Sequence, residues 1–415
     1  MAVSTGSRRA TGRADRSERP WLGQWNSTVT SYYLLVGATG LLLVIGLVMV
    51  LSSSTVTSIA AGESPYAEGV TQARFALIGL PVMLLAARTP VHWYKRMAWP
   101  VLLLAVGLLV AVLLVGEATN GNQNWLPLGP VRFQPSELAK LALAVWLGAV
   151  LGRKQHLLGS VPHALVPAVP GALVVLGLVM AGNDLGTALI IAALVAGALW
   201  IAGAPTRLLL PMGVLGAVLV VVYAVLGNSD RMGRILATYG GCADQASECY
   251  QSLHGLYGLG TGGLFGVGLG ASREKWRYLP EAHNDFIFAI IGEELGLLGT
   301  LCVLALFAVL GVAMARVVRR HPDPFVKIAT AAVACWIVGQ AFVNIGVVVG
   351  LLPVIGVPLP LVSAGGSALV ATMAALGMVI SFARSEPGAS EALATRGGVV
   401  RRSLTVLGRG RRAAR

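Results

Sequence analysis

Charged residues are scarce in this chain. Asp, Glu, Lys and Arg make up 12% of its 415 residues, 18 of them acidic and 31 basic. A soluble domain carries about 25% charged residues, so the two or three soluble domains that this length would predict are excluded. Cysteines number four, without zinc-finger spacing. There is no Gly-x-x-x-x-Gly-Lys-Ser/Thr loop, which excludes ATP as the driver. There is no Gly-x-Ser-x-Gly elbow and no His-Glu-x-x-His site. Gly266-Val267-Gly268-Leu269-Gly270-Ala271 imitates a dinucleotide fingerprint but follows no strand. The first 30 residues are polar and basic, and no short apolar region with a small-residue cleavage site follows them, so no cleaved signal peptide is expected. A net charge of +13 would point to nucleic acid in a soluble protein. Here the basic residues sit in loops and tails, without interleaved aromatics, and no nucleic-acid partner is expected.

Apolar residues, in contrast, form repeated blocks long enough to cross a bilayer, 56% of the chain being hydrophobic. Spans are predicted at 31–52, 73–88, 97–116, 136–152, 164–181, 185–203, 207–227, 286–316, 326–351 and 366–384. The eighth is long enough to tilt or kink. Most of the 31 basic residues fall on one side if the N-terminus is inside, which by the positive-inside rule puts both ends in the cytoplasm. The expectation is an all-α integral membrane protein of about ten transmembrane helices. Residues 1–30 form a basic cytoplasmic tail, 31–384 the membrane domain, and 385–415 an Arg-rich tail whose composition predicts disorder and suits anionic lipid. The longest outer loop is 228–284, with others at 117–134 and 352–367; loops this long are more often functional than mere connectors. Cys242 and Cys249 share the long loop, either as a disulfide or as two thiols. Cys302 and Cys335 read as packing residues within spans.

Charges near spans are the candidates for chemistry. Pro135 is suited to a helix start, and Glu137 and Lys140, three residues apart, share a helix face. They form either a structural pair or a cation presented to an anionic ligand. Asp184 sits in a tight turn, as an N-cap or a site residue. The densest polar cluster runs from Lys275 to Asp285, through Arg277, Glu281 and His283. Asp285 would begin the eighth helix, where the dipole favours a carboxylate. Glu293 and Glu294 would lie about 12–14 Å deeper along a straight helix.

Four stretches resemble the signatures of one family. They are GLGASREKWRYLPEAHNDFIFAIIGEELG (268–296), QPSELAK (134–140), NDLGTAL (183–189) and PLPLVSAGGS (358–367). Together, in their order along the chain and on one face, they are similar to the SEDS family, the membrane glycosyltransferases of shape, elongation, division and sporulation. The resemblance covers roughly 30–385 and is closer to the division branch than to the elongation branch. The Arg-rich tail and the cysteine-bearing loop resemble actinobacterial members. Three positions depart from the family pattern: Asn284 stands where Thr is usual, Ala364 where Tyr is usual, and Asn183 where Pro is frequent.

The resemblance implies polymerisation of lipid II, a polyprenyl-pyrophosphate-linked sugar, at the bacterial plasma membrane of the septum. It makes Asp285 the catalytic carboxylate. Lys140, Arg74, Lys275 and Arg277 become candidates for the diphosphate, and Gln134, Glu137, Asp184, Glu281, His283, Ser363 and Ser367 candidates for substrate contacts. No cofactor is called for with certainty; a divalent cation, Mg or Mn, can share the diphosphate, although no cage of ligands is visible. The implied partners are a class B penicillin-binding protein, a transpeptidase, and other division proteins. Its membrane helix would pack on spans eight and nine, where Gly292, Gly296, Gly339 and Gly346 allow close approach. A lipid II flippase, with Glu137, Lys140, Glu293 and Glu294 along its path, and a non-catalytic division scaffold are the rival readings.

Overall fold

A computed structural model describes residues 29–119, 122–129, 131–227, 249–276, 278–389 and 391–393, with 233, 238 and 239. The helices are α1 (Thr30–Ala60), α2 (Ala67–Arg88), α3 (Val91–Val115), α4 (Pro135–Arg153), α5 (Ala168–Ala181), α6 (Leu185–Ala202), α7 (Thr206–Gly227), α8 (Tyr250–Thr261), α9 (Ile287–Arg320), α10 (Pro324–Val348) and α11 (Gly366–Arg384). A single-turn helix, Val161–Leu165, precedes α5. Among the described residues, eight helices (α1, α2, α3, α4, α6, α9, α10 and α11) are long and apolar enough to cross a membrane. The predicted fifth and seventh spans fall on α5 and α7. With 14 residues, α5 measures about 21 Å, short of a hydrocarbon core of about 30 Å.

One departure from an all-helical chain lies between α3 and α4. Strands β1 (Glu117–Thr119), β2 (Asn122–Leu128) and β3 (Val131–Phe133) form an antiparallel sheet in that order. The β2 strand is tied to the α5–α6 turn through Gln123 N–H and the Gly182 carbonyl, 3.0 Å apart. Sequence periodicity did not announce strands of three residues. The sheet marks one end of the bundle, here called the sheet end.

Small residues determine which helices lie inside. The most apolar stretch of α4 is 83% buried and that of α11 78%, against 22% for α2 and 28% for α3. Gly148 and Gly152 of α4 lie against Phe325 of α10. On α11, Gly366 and Gly377 lie against Phe75 and Met83 of α2, and Met373 meets Gly79. Without a hydrophobic drive between helices in lipid, such close backbone approach supplies the packing energy.

The expected kink is in α9. Gly296 has φ 69 and ψ −166 within the helix. Its cause can be read from the two ends. Near the sheet end, Asn344 Nδ2 of α10 donates to the Asp285 carbonyl at 2.8 Å; at the other, the short link 321–323 joins α9 to α10. Between these ties α9 has 34 residues, about 51 Å of helix. From Pro324 to Asn344, α10 covers about 30 Å. A straight α9 cannot fit, so the 287–295 segment turns aside at Gly296. Glu294 accordingly bonds to Ser52 Oγ at 2.6–2.8 Å, and Ser52 stands about 33 Å along α1 from Thr30. Glu293 and Glu294 therefore sit near the sheet end, not 12–14 Å deeper. Counting depth along a straight axis produced that error.

The kink orphans four backbone groups, and one turn satisfies all of them. The Leu297 and Leu298 amides donate to the carbonyls of Gly263 (2.9 Å) and Leu264 (3.2 Å). The Glu293 and Glu294 carbonyls accept from Val267 (2.9 Å) and Gly268 (3.1 Å). The segment 263–268 is thus spliced into the broken helix ladder. At Gly266 and Gly296 a Cβ would run into the opposing backbone, which is why both are glycine.

This splice corrects the expected docking face. Gly292 is covered by Leu259, Gly296 by the 264–266 turn, and Gly346 by Leu352; of the four glycines, Gly339 has open space. Cys249 is buried and disulfide-bonded, while Cys242 lies outside the described residues. Cys302 and Cys335 are free thiols. The tails 1–28 and 394–415 lie outside the described residues as well. Before the latter, Glu386 and Ala389 are buried.

Candidate functional site

Residues 280–286 form turns ahead of α9. Glu281 is in the left-handed region (φ 55), and its carbonyl accepts from the Asn284 and Phe286 amides at 3.0 and 3.2 Å. The N-cap of α9 is Phe286, which makes no side-chain cap. Asp285 therefore does not begin the helix as expected; it precedes the cap in a half-buried turn.

Three main-chain carbonyls of this turn are gripped from outside. Ser363 Oγ donates to Asn284 O (2.7 Å), the Ala364 amide to His283 O (3.0 Å), and Asn344 Nδ2 to Asp285 O (2.8 Å). Asn344 also donates to Val357 O at 2.7 Å, joining α10, the 280–286 turn and the 351–365 loop. A Cβ on Gly356 (φ 70) would come within 3.7 Å of Asp285 Oδ2. The loop backbone thus borders the carboxylate.

The same loop gathers the other stretches. Gln72 of α2 donates to Ser363 O (3.1 Å) and accepts from the Gly365 amide (3.2 Å). Gln340 donates to Pro358 O at 2.9 Å. Its Oε1 accepts from Lys140 Nζ and Trp336 Nε1, each at 3.1 Å. Lys140 pairs with Glu137 Oε1 at 2.8 Å and lies 4.9 Å from the Trp336 ring centre. At 1% exposure for Lys140 and 3% for Glu137, the two are enclosed as an ion pair at the base of the loop.

Asp184 caps α6 through the Thr187 amide at 2.9 Å, one of the two roles open to it from the sequence. Its Oδ2 also accepts from Thr187 Oγ1 (2.8 Å), Asn124 Nδ2 (3.1 Å) and Gln134 Nε2 (3.3 Å). The Gln134 amide donates to Ser367 Oγ at 3.3 Å. Gly186 abuts Ile355 and Val357. Gln134, Asp184, Ser363, Ser367 and Asp285 thereby belong to one polar layer.

Lys275, by contrast, belongs to the clamp on α9. Its Nζ pairs with Glu294 Oε1 (3.1 Å) and donates to Gly270 O (2.7 Å). Glu293 accepts from Ser272 Oγ (2.5 Å) and the Arg273 amide (2.8 Å). Nearby, His254 Nδ1 meets Glu274 at 2.6 Å; burial pushes that carboxyl above its usual range against the pull of His254. Arg74 is exposed two residues from Gln72, and Glu281 is exposed. His283 Nδ1 is buried without a partner. Arg277 lies outside the described residues. No group of three or more His, Cys, Asp or Glu able to hold a metal occurs among the described residues.

Sequence reasoning missed Asn344, Gln340, Gln72 and Asn124. Each is an uncharged polar side chain, the first three on apolar helices. A buried polar group that spends its hydrogen bonds on a loop was the available signal.

The FtsW/RodA/SpoVE family of cell cycle proteins matches residues 33–387. A probable peptidoglycan glycosyltransferase FtsW of Mycobacterium tuberculosis is 38% identical over 394 residues, 94% of this chain and 75% of that one. Stage V sporulation protein E of Bacillus subtilis is 36% identical over 85% of this chain and 96% of its own length. Among solved structures, a chain of a peptidoglycan synthase complex that coordinates polymerization and crosslinking matches with TM-score 0.70 at 26% identity. RodA of Thermus thermophilus matches with TM-score 0.63 at 27% identity. Each of these two covers 85% of this chain and 97% of its own. With the family match spanning most of the chain and its signature stretches meeting around one loop, this protein belongs to the FtsW/RodA/SpoVE family.

Proposed function

We propose that this chain is a peptidoglycan glycosyltransferase that polymerises lipid II during cell division, with Asp285 as general base. The observation that carries the reading is the grip on the Asp285 turn. Two elements, α10 and the 351–365 loop, hold its main chain through three bonds, and the loop backbone at Gly356 borders the carboxylate. The acceptor sugar's 4-hydroxyl attacks the anomeric carbon of the lipid-linked donor. The new carbon–oxygen bond forms as the bond to diphosphate breaks; the hydroxyl proton passes to Asp285 and polyprenyl diphosphate leaves as an anion. A base placed within reach of that hydroxyl supplies about 10²–10⁴-fold.

The leaving diphosphate needs positive charge. Lys140 and Lys275 spend theirs on Glu137 and Glu294, so Arg74, which is exposed, carries this role together with Arg277 of the 268–296 stretch. A divalent cation would supply Lewis acidity there; the described carboxylates form no cage for it, and no step above depends on it. Glu137, Lys140, Glu293 and Glu294 bond within the protein instead of lining a path, which weakens the flippase reading. Linkage of lipid II into glycan strands by purified protein with a class B penicillin-binding protein tests the activity. Its absence in the presence of the partner would favour a scaffold.

Ten spans with both ends in the cytoplasm place the sheet end outside, at the septal plasma membrane. A cysteine at exposed Arg132, with Cys302 and Cys335 removed, should then react with an impermeant maleimide in intact cells. Reaction only after lysis overturns this topology.

Asn344 is a positioning residue for the base. Replacing it by leucine removes both of its donated bonds and lets the turn shift. A displacement of about 1 Å can cost on the order of 10²-fold, so kcat should fall by more than tenfold with KM little changed. A lower melting temperature with unchanged kcat per folded molecule would reduce Asn344 to a stability role.

A further inference from the structure

The turn spliced into α9 leaves its side chains outside the bundle. Leu264 is 61% exposed, Phe265 79% and Leu269 60%, in a segment whose backbone groups are engaged with the α9 kink. Directly beyond the splice, Leu297, Leu298 and Leu301 are also exposed, and they begin the apolar run of the spanning part of α9. The chain then returns through Trp276 and Tyr278, both exposed. These two residue types prefer the headgroup level of a membrane.

Height along the bundle fixes where this patch lies. Counting about 20 apolar residues up from Arg316, the first basic residue at the far end of α9, ends at Gly296. The splice thus stands at the boundary of the hydrocarbon. Irregular backbone is tolerated at that depth only when its polar groups are satisfied within the protein. The four exchanged hydrogen bonds at the kink do this for both strands of the splice. An aqueous loop has no need of such an exchange, because water would serve.

We infer that residues 263–269 are a membrane-seated turn, with Leu264, Phe265 and Leu269 among the acyl chains of the outer leaflet and Trp276 and Tyr278 at the headgroups. The occupant is lipid because the patch continues without a break into the lipid-facing side of α9. Lys275–Glu294 and Ser272–Glu293 fasten the returning strand to the kink. The turn therefore sets the height of the segment that leads to Asp285, and holds the catalytic turn level with lipid headgroups. This goes beyond the proposed reaction, since it concerns anchoring of the chain whatever the chemistry.

The test is spin-label accessibility on the full chain in nanodiscs of phosphatidylethanolamine and phosphatidylglycerol. Phe265→Cys is labelled in a background lacking Cys302 and Cys335, with Arg273→Cys as the aqueous reference. At position 265, collisions with oxygen should exceed those with a nickel chelate, and the order should reverse at 273. Leu264→Cys and Leu269→Cys repeat the measurement where the label at 265 disturbs folding. Nickel access at 265 equal to that at 273 overturns the proposal. So does loss of access to both reagents, which would mean a protein contact such as a second copy of this chain.

Discussion

Asp285→Asn protein is expected to reach normal abundance and a near-normal melting temperature, while glycan polymerisation falls by about 10²–10⁴-fold. The substitution keeps the side chain's size but removes its negative charge and with it the capacity to take a proton. A competing explanation, loss of a helix cap worth about 0.5–2 kcal/mol, is met by the choice of residue, because asparagine caps a helix about as well as aspartate. The bonds that hold the turn go to main-chain carbonyls at His283, Asn284 and Asp285, and an asparagine leaves them intact. Co-purification with the transpeptidase partner should likewise survive. Product gels with purified lipid II measure the effect directly. Near wild-type polymerisation by the variant would remove Asp285 from the chemistry.

Two kinds of residue set the limits of sequence reading. Glu137 and Lys140 were legible as a pair because helix spacing alone brings them together, and Asp184 as a cap because the turn before α6 is short. Asn344 and Gln340 were not. Their importance comes from what lies across from them, a loop about fifteen residues further on that has to fold back first. The position of Glu293 and Glu294 failed for a related reason. A kink depends on the mismatch between two helix lengths, and neither length is informative by itself. The small sheet between α3 and α4 escaped because its strands run to three, seven and three residues, too few for alternation to register. The loop-to-helix splice was present in the sequence only as an excess of glycine between 262 and 270. Which of those glycines had to be glycine depended on the backbone of α9 opposite.

The largest stability effect should come from Lys140. Its ammonium pairs with Glu137, and both side chains are almost wholly enclosed, at 2% and 4% exposure. Glu137 Oε2 already lacks a hydrogen-bond partner. Lys140→Ala would leave that carboxylate buried with nothing to balance it, a loss that typically costs about 3–5 kcal/mol. It would also take away one of the two donors to Gln340 Oε1, the side chain that holds the Pro358 carbonyl of the loop around Asp285. Protein level and melting temperature should both fall sharply. The double variant Lys140→Met with Glu137→Gln separates structure from chemistry. A neutral pair of similar volume removes the uncompensated charge, and replacing a buried ion pair in this way is often close to neutral. Stability should therefore recover. Gln340 keeps its bonds to Trp336 and Pro358, so polymerisation per folded molecule should stay within about tenfold of wild type. A stable double variant that has lost activity as completely as Asp285→Asn would return Lys140 to the diphosphate. Normal abundance of Lys140→Ala would show instead that the pair contributes little to the fold.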